Sequence, residues 1–276
     1  MIEFNKPVKI AVASPSYRRP FCRTAQYLPQ TRIYIDPSEK SEYVSANKGN
    51  GVVVCCAEGV QGNLPRVRNY ILDQEFNVNH ADIVVMMDDD VSQIGMFKPN
   101  PLTGFGYDKF LINKDNFEEF ILYGSLLCQD WGFGMWGVNH NEDKLLYRHF
   151  VPFRTTVPSV GQFMVFVKNE LRFDENLPLK EDYDMALQQI NKYRGVLMLS
   201  FAWVNGDFGN LSGGTAIRRN QAREQEQFRL FKKKWGSDIV IGTNKHTKAN
   251  HDGVAKGFVN EYDFSHPRLR IPIEGA

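Results

Sequence analysis

The chain has 276 residues, of which 42% are apolar, 24% charged and 13% aromatic, a composition typical of a globular protein and not of a disordered, collagenous or coiled-coil chain. Its 33 Lys and Arg residues nearly balance 32 Asp and Glu residues, which excludes a uniformly basic surface but leaves room for a local basic face. Four cysteines without a CxxC pair form neither a disulfide framework nor a thiolate zinc site. Cys55 and Cys56, adjacent in an apolar run, are expected to be buried free thiols.

In chain order, apolar runs predict strands at 8–14, 32–35 and 52–57, a helix at 65–76, and a strand at 83–87. Further along they predict a helix at 115–128, a strand at 163–171, a helix at 181–193, a strand at 196–204 and a polar helix at 216–235. Strands that are apolar on both faces and alternate with helices indicate an α/β fold with a mixed, mostly parallel sheet flanked by helices.

No repeat, linker or low-complexity segment divides the sequence. We therefore predict one domain over residues 1–276, with a core at 8–205 and a basic C-terminal extension at 206–276 that comprises a helix and a tail. The N-terminal segment lacks the long apolar run of a signal peptide, and no stretch reaches the roughly 18 apolar residues of a membrane span. The expectation is a soluble, reduced, cytoplasmic protein.

The strongest chemical signal is the acidic triplet Asp88, Asp89 and Asp90, which directly follows the apolar run IVVMM. In open α/β sheets, ligands bind beyond the carboxyl ends of the strands. Asp88 and Asp90 share one face of an extended chain, so together they can hold one hard divalent cation, Mg²⁺ or Mn²⁺, that keeps coordination sites open for substrate phosphates. The alternative is a solvated strand end.

Four segments occur in an order that resembles the GT-A glycosyltransferases. They are SPSYRRP at 14–20, GNLPRVRN at 62–69, the DXD motif at 88–90 and KEDYDM at 180–185. The resemblance covers about residues 8–205. It implies a GT-A-like, Rossmann-like fold, a nucleotide-diphosphate sugar such as a UDP-sugar as the donor, and manganese or magnesium as the cofactor. The sequence lacks the Gln-x-x-Arg-Trp motif of the processive enzymes, which argues against polymer synthesis.

The resemblance also implies which residues bind the donor and the metal. The donor would be bound by residues from three of these segments, namely Ser14, Tyr17, Arg18, Arg68, Asp88 and Asp89. Apart from the resemblance, Lys248 in the polar tail is a further candidate to bind the donor phosphates. The metal would be bound by Asp88 and Asp90, and a tail histidine, His246 or His251, would be a third ligand, as in some GT-A enzymes. The alternatives are that Arg68 is a solvated helix charge, that Tyr17 and Arg18 are ordinary polar loop residues, and that the two histidines are exposed tail residues.

The start of the helix predicted at 181–193 would supply the catalytic base. Asp182 resembles the base of the inverting members, Glu181 lies beside it, and Asp184 competes for the same role. The alternative is that these acids only complement the helix dipole. Inversion at the anomeric carbon is the expectation, and retention stays open. The aromatic stretch from Trp131 to Trp136 is either a wall of the sugar pocket or part of the core.

The balanced total charge hides an imbalance between two parts of the chain. Residues 217–276 carry 12 Lys and Arg against 7 Asp and Glu, whereas residues 1–216 carry 21 against 25. A basic helix beside a sugar-transfer site suits a polyanionic acceptor, because phosphate contacts supply affinity without reading sequence. The alternative is an ordinary solvated helix.

The whole chain is similar to the phage TET-associated glycosyltransferases, which modify hydroxymethylated bases in DNA. This similarity implies DNA modification in a bacteriophage context, within the host cytoplasm, with a 5-hydroxymethylcytosine-type base in double-stranded DNA as acceptor. The base would have to be extruded from the duplex. A glycan or protein acceptor stays open, as does a nucleotidyltransferase, although the loop SPSYRRP lacks the glycines usual there. A non-catalytic nucleic-acid-binding module is a further alternative.

Overall fold

A mixed sheet of ten strands forms the centre of the protein, seen in a computed structural model that describes residues 7–99, 107–140, 142–143, 147–157, 161–206, 219–244 and 263–271. Nine of its strands follow the order β3-β2-β1-β4-β9-β7-β10-β5-β6, and β8 pairs with β10. The strands are β1 (Ile10–Pro15), β2 (Arg32–Ile35), β3 (Val52–Cys55), β4 (Ile83–Met87), β5 (Val91–Pro99), β6 (Tyr107–Ile112), β7 (Met135–Asn139), β8 (Phe153–Arg154), β9 (Phe163–Val167) and β10 (Leu197–Gly206).

Six helices accompany the sheet within the described ranges. They are α1 (Arg23–Tyr27), α2 (Lys40–Asn47), α3 (Leu64–Asp73), α4 (Phe117–Asp130), α5 (Glu181–Tyr193) and α6 (Gln221–Trp235). A 3-10 turn at Pro37–Glu39 precedes α2, and a π turn at Gln74–Val78 extends α3. A separate two-stranded sheet of β11 (Val240–Asn244) and β12 (Asp263–Leu269) packs near α6.

Seven of the ten described strands of the main sheet point in one direction, and only β5, β8 and β9 run the other way. The mixed, mostly parallel, Rossmann-like sheet flanked by helices is therefore confirmed. Because β1, β4, β7 and β10 are parallel, their carboxyl ends meet at one edge of the sheet, where ligands of such folds bind.

The strand β4 is apolar throughout because both faces of the sheet are covered. Ile83, Val85 and Met87 pack in the core that includes α4, while Val84 and Met86 pack in the opposite core with α3 and α5. All five residues are buried. Burial at about 25 cal/mol per Å² of apolar surface fixes the register of β4, and hence the position of the acids that follow it.

Several elements differ from the sequence expectation. The strands β5, β6 and β7 and the helices α1 and α2 are not marked by clean periodicity, and the tail contains β11 and β12. The Gly-rich stretch at β7 becomes a strand because Trp136 packs in the core against Gly124, where a Cβ atom would lie 2.5 Å from the indole. Trp136 is therefore part of the core and does not line a sugar pocket, while Trp131 is exposed beyond the end of α4.

The cysteines follow the expectation in part. All four are free, and Cys22, Cys56 and Cys128 are buried, whereas Cys55 is half-buried. Among the described helices none has both the length and the apolar character required to cross a membrane.

Candidate active site

The acidic triplet lies between β4 and β5, in a turn held by its backbone. The hydroxyl of Thr24 donates to the Asp88 carbonyl at 2.5 Å and accepts from the Val91 amide at 3.1 Å. The Thr24 amide donates to the Asp89 carbonyl at 3.3 Å, and the Asp88 amide donates to the Gln162 carbonyl at 3.2 Å. The start of α1 and the start of β9 therefore fix the direction in which the three carboxylates point.

Two of these carboxylates are buried and share one guanidinium. Nη1 of Arg19 donates to Asp89 Oδ1 at 2.5 Å and to Asp90 Oδ2 at 3.1 Å. Asp89 Oδ2 also accepts from the Ser16 hydroxyl. Asp90 Oδ1 is buried and accepts no hydrogen bond within the described part of the chain. Burial raises the pKa of Asp89 to about 6 and that of Asp90 to about 7, and Arg19 opposes both shifts.

The third carboxylate is joined to the start of α5 by Arg68. Nη2 of Arg68 donates to Asp88 Oδ1 at 3.0 Å, and Nη1 donates to Glu181 Oε1 at 3.3 Å. Arg68 is only 3% exposed, and its guanidinium lies 5.6 Å from the Phe173 ring centroid. Burial raises the pKa of Glu181 to about 7 against the lowering effect of Arg68, and the charge of Asp182 raises it further. Two motifs far apart in sequence thus meet through one buried cation.

The three acids at the start of α5 face different surroundings. Glu181 faces Arg68, whereas Asp182 is half-buried and its Oδ1 accepts from the Tyr183 amide at 2.8 Å. Asp184 is fully buried and faces α6, accepting from Trp235 Nε1 at 2.8 Å and from Lys234 Nζ. The helical turn of about 100° per residue separates the directions of these side chains, which places Asp184 in the contact between two helices.

The predicted donor residues of the first loop lie at the carboxyl end of β1. The Ser14 hydroxyl is buried and donates to the Met87 carbonyl at 2.6 Å, so it links β1 to β4. Arg18 is exposed, has a φ of 54°, and places its guanidinium 5.1 Å from the ring centroid of Tyr17. Its backbone amide donates to the Glu39 carboxylate at 3.1 Å. Tyr17 and Arg18 therefore form an accessible aromatic and cationic pair at the edge of the sheet where the carboxyl ends of the parallel strands meet.

His140, which the sequence analysis did not single out, lies at the same edge, after β7. Its Nδ1 lies 2.7 Å from Gln162 Oε1. A Cβ atom on Gly161 would lie 2.9 Å from the His140 ring and 3.8 Å from Asp182 Oδ2, so Gly161 leaves the space between these two groups open. In the sequence, Asn139 and His140 form a polar pair that could have indicated this position. The stretch before them is rich in glycine, so the strand β7 that leads to them is not evident from the sequence.

The basic helix α6 packs against the start of α5. Lys180 and Glu224 are both buried and form an ion pair of 2.5 Å, and Lys180 Nζ also donates to the Leu179 carbonyl. Arg219, just before α6, lies 3.5 Å from Glu224 and contributes to lowering the pKa of Glu181. Arg219 and α6, two described parts of the basic extension, therefore lie beside the start of α5.

Part of the predicted site lies outside the described residues. Lys248, His246 and His251 all belong to this part of the tail. Within the described ranges, no group of three or more His, Cys, Asp or Glu side chains is arranged to hold a metal ion. Asp88 and Asp90 could supply two carboxylate ligands, the number that Mg²⁺ commonly takes from a protein when substrate phosphates supply the others.

Comparisons with known proteins give no sequence relative. No protein-family model matches the chain, and no curated protein matches it. Among solved structures, residues 1–349 of TarS from S. aureus share 13% identity with a TM-score of 0.45, over 81% of this chain and 64% of that one. A mycobacterial protein shares 11% identity with a TM-score of 0.45, over 89% of this chain and 80% of that one. The protein A197 from STIV shares 12% identity with a TM-score of 0.38, over 77% and 92% of the two chains. Scores this low carry no argument about activity.

Proposed function

We propose that this chain is a metal-dependent glycosyltransferase that moves a sugar from a nucleotide-diphosphate donor, preferably a UDP-sugar, to a hydroxyl group. The preferred acceptor is a 5-hydroxymethylcytosine-type base in phage DNA. The observation that carries the proposal is the ion-pair chain from Asp88 through Arg68 to Glu181, at the edge of the sheet where ligands bind. It brings a DXD-type turn next to a carboxylate pair suited to acid–base chemistry.

The residues at the turn fit a hard divalent cation. Asp90 Oδ1 is buried and lacks a hydrogen-bond partner among the described residues, which is a costly state that an ion would relieve. The Asp88 side chain is 34% exposed, so it stays accessible to a ligand. The two candidate ligands at the turn, Asp88 and Asp90, offer carboxylate oxygens, the ligands that Mg²⁺ and Mn²⁺ prefer. When bound, the ion would offset the charge of the departing diphosphate.

Asp182 is proposed as the catalytic base. It would accept the proton of the acceptor hydroxyl as that oxygen forms a bond to the anomeric carbon, while the bond from this carbon to the diphosphate oxygen breaks and its electron pair leaves with the diphosphate. Glu181 is held by Arg68 and would fix the start of α5. Asp184 is bonded to α6, so it is not proposed as the base.

The position of α6 supports a polyanionic acceptor. Lys180 and Glu224 anchor this helix beside the proposed base, and Arg219, Arg229 and Lys233 are exposed on or just before it. Lys234 is engaged with Asp174 and Asp184 instead. Exposed cations on or beside one helix would contact phosphates without reading sequence.

The test is a panel of labelled UDP-sugars with Mn²⁺, on duplexes containing cytosine or 5-hydroxymethylcytosine. We expect transfer of the sugar label to the hydroxymethylated duplex alone, and its loss on adding a chelator. Asp90→Asn should lower turnover at least a hundredfold, whereas the matched control Asp73→Asn, at an exposed carboxylate paired with Arg172, should not change it. Full turnover by Asp90→Asn would contradict the mechanism.

The same assay, extended to glycan and protein acceptors and to donors labelled in the nucleotide, separates the alternatives. Transfer to a glycan or protein, with none to either duplex, would reject DNA as the acceptor while keeping sugar transfer. Incorporation of the nucleotide label instead of the sugar label would identify a nucleotidyltransferase. DNA binding that Asp90→Asn leaves intact, without any transfer from the full panel, would favour a non-catalytic nucleic-acid-binding module.

A further inference from the structure

The residue that covers the proposed metal site is Arg19, one position beyond the arginine that the sequence analysis assigned to the donor. A single nitrogen of Arg19 bridges Asp89 and Asp90 at 2.5 and 3.1 Å. The Arg19 side chain is 16% exposed and the two carboxylates are 7% exposed, so water screens these contacts only weakly.

The two carboxylates differ in what else they bind. Both carboxylate oxygens of Asp89 accept hydrogen bonds, one from Arg19 and one from Ser16, so both are already used within the protein. Asp90 is bonded through Oδ2 alone, and its Oδ1 is buried without a partner in the described part of the chain. Asp90 is thus the buried carboxylate with coordination capacity to spare.

The charges of the cluster leave a deficit that suits a divalent ion. Asp88, Asp89, Asp90 and Glu181 carry four negative charges when ionised, and the paired cations Arg19 and Arg68 carry two positive ones. Buried charges require compensation, and the excess of carboxylates over paired cations in this cluster favours a bound cation.

We infer that Arg19 is an internal counter-ion of the metal site, which competes with a divalent cation for Asp90 and so sets the affinity of the site for the metal. This inference rests on the metal dependence proposed above. An ion bound through Asp90 and the guanidinium of Arg19 repel each other, so ion binding weakens the bond from Arg19 to Asp90 Oδ2. Arg19 is therefore a positioning residue and not a catalytic one.

The test measures Mn²⁺ binding without any nucleotide, from the free-ion signal in electron paramagnetic resonance. Arg19→Gln should bind Mn²⁺ about tenfold more tightly than the unmodified protein, because a like charge is removed from the same carboxylate. Arg19→Lys keeps the charge and should stay within about threefold. Arg172→Gln, which removes an arginine paired with exposed Asp73, should have no effect. Unchanged or weaker binding by a folded Arg19→Gln variant would overturn the inference.

Removing Arg19 also leaves the buried Asp89 carboxylate without its cation. Because this variant could fail to fold, a second measurement uses the unmodified protein. In NMR spectra of the unmodified protein, the guanidinium signal of Arg19 is assigned by its loss in Arg19→Lys. This signal should shift when Mg²⁺ is added, while that of Arg172 stays in place. An unshifted Arg19 resonance at a Mg²⁺ concentration that saturates Asp90 would overturn the inference.

The outcomes separate this inference from the proposed function. Tighter Mn²⁺ binding by Arg19→Gln in a protein that transfers no sugar would support the counter-ion role and reject the glycosyltransferase. Sugar transfer that depends on Asp90, with equal Mn²⁺ affinity in Arg19→Gln and the unmodified protein, would support the glycosyltransferase and reject the counter-ion role.

Discussion

The buried cation Arg68 offers a quantitative test of how the site is assembled, through the substitution Arg68→Gln. Its guanidinium is 3% exposed and bonds to Glu181, whose side chain is 9% exposed, and to Asp88, which is 34% exposed. Removing one partner of a buried ion pair typically costs about 3–5 kcal/mol, because the other charge stays buried and uncompensated. The bond to half-exposed Asp88 adds only about 0–1 kcal/mol.

The cost depends on pH because Glu181 can take up a proton. Burial already raises the pKa of this carboxyl to about 7 in the presence of Arg68, and loss of the cation raises it further. A carboxyl with a raised folded-state pKa contributes stability at low pH that is lost as the pH rises through that value. Below about pH 6, Glu181 is therefore protonated in both the unmodified protein and Arg68→Gln. Above about pH 7 their free energies of unfolding diverge. We expect a loss of about 1 kcal/mol at pH 5.5 and about 3 kcal/mol at pH 9.

The assay is urea unfolding, followed by circular dichroism, at these two pH values. Glu181→Gln in the same chain should recover most of the loss at pH 9, with a coupling energy of about 2 kcal/mol between the two substitutions. Losses that are equal at both pH values, or effects of the two substitutions that add to within about 0.5 kcal/mol, would refute the account of a buried pair at this position.

Three further predictions concern the rest of the molecule. Lys180→Met should lower the free energy of unfolding by about 3–5 kcal/mol in urea, because it leaves Glu224 buried without its main partner, and a loss below about 1 kcal/mol would contradict the buried pair. Lys234→Met should remove a stability contribution that the unmodified protein shows between about pH 4 and pH 10. The reason is that the pKa of Asp174 is lowered and that of Lys234 is raised in the folded protein. The difference in urea midpoint between the unmodified protein and Lys234→Met should therefore vanish in acid. A thiol reagent at pH 8 should label Cys55 alone in the folded protein, since burial raises the pKa of the other three thiols, and labelling of all four before unfolding would contradict their burial.

The local sequence pattern was sufficient to predict the bounds of a strand that is buried on both faces. The run at 83–87 is apolar at every position, and β4 occupies those five residues, with the acids immediately after it. The helix predicted at 181–193 also matches α5 at both ends. In contrast, β5 and β6 have no clean alternation, and β5 contains Gly95, where the Trp203 indole fills the space that a Cβ atom would need. Such a strand is specified by a distant partner and not by its own periodicity.

By itself, the sequence determined which acids follow a buried strand and which begin a helix, because apolar periodicity and order along the chain are local properties. The tertiary structure alone decided their partners. It placed Arg19 on Asp89 and Asp90, 70 and 71 residues away, and it directed Asp184 toward α6 while Glu181 faces Arg68. Coulomb energy and desolvation depend on distance and burial, and the sequence states neither for residues this far apart.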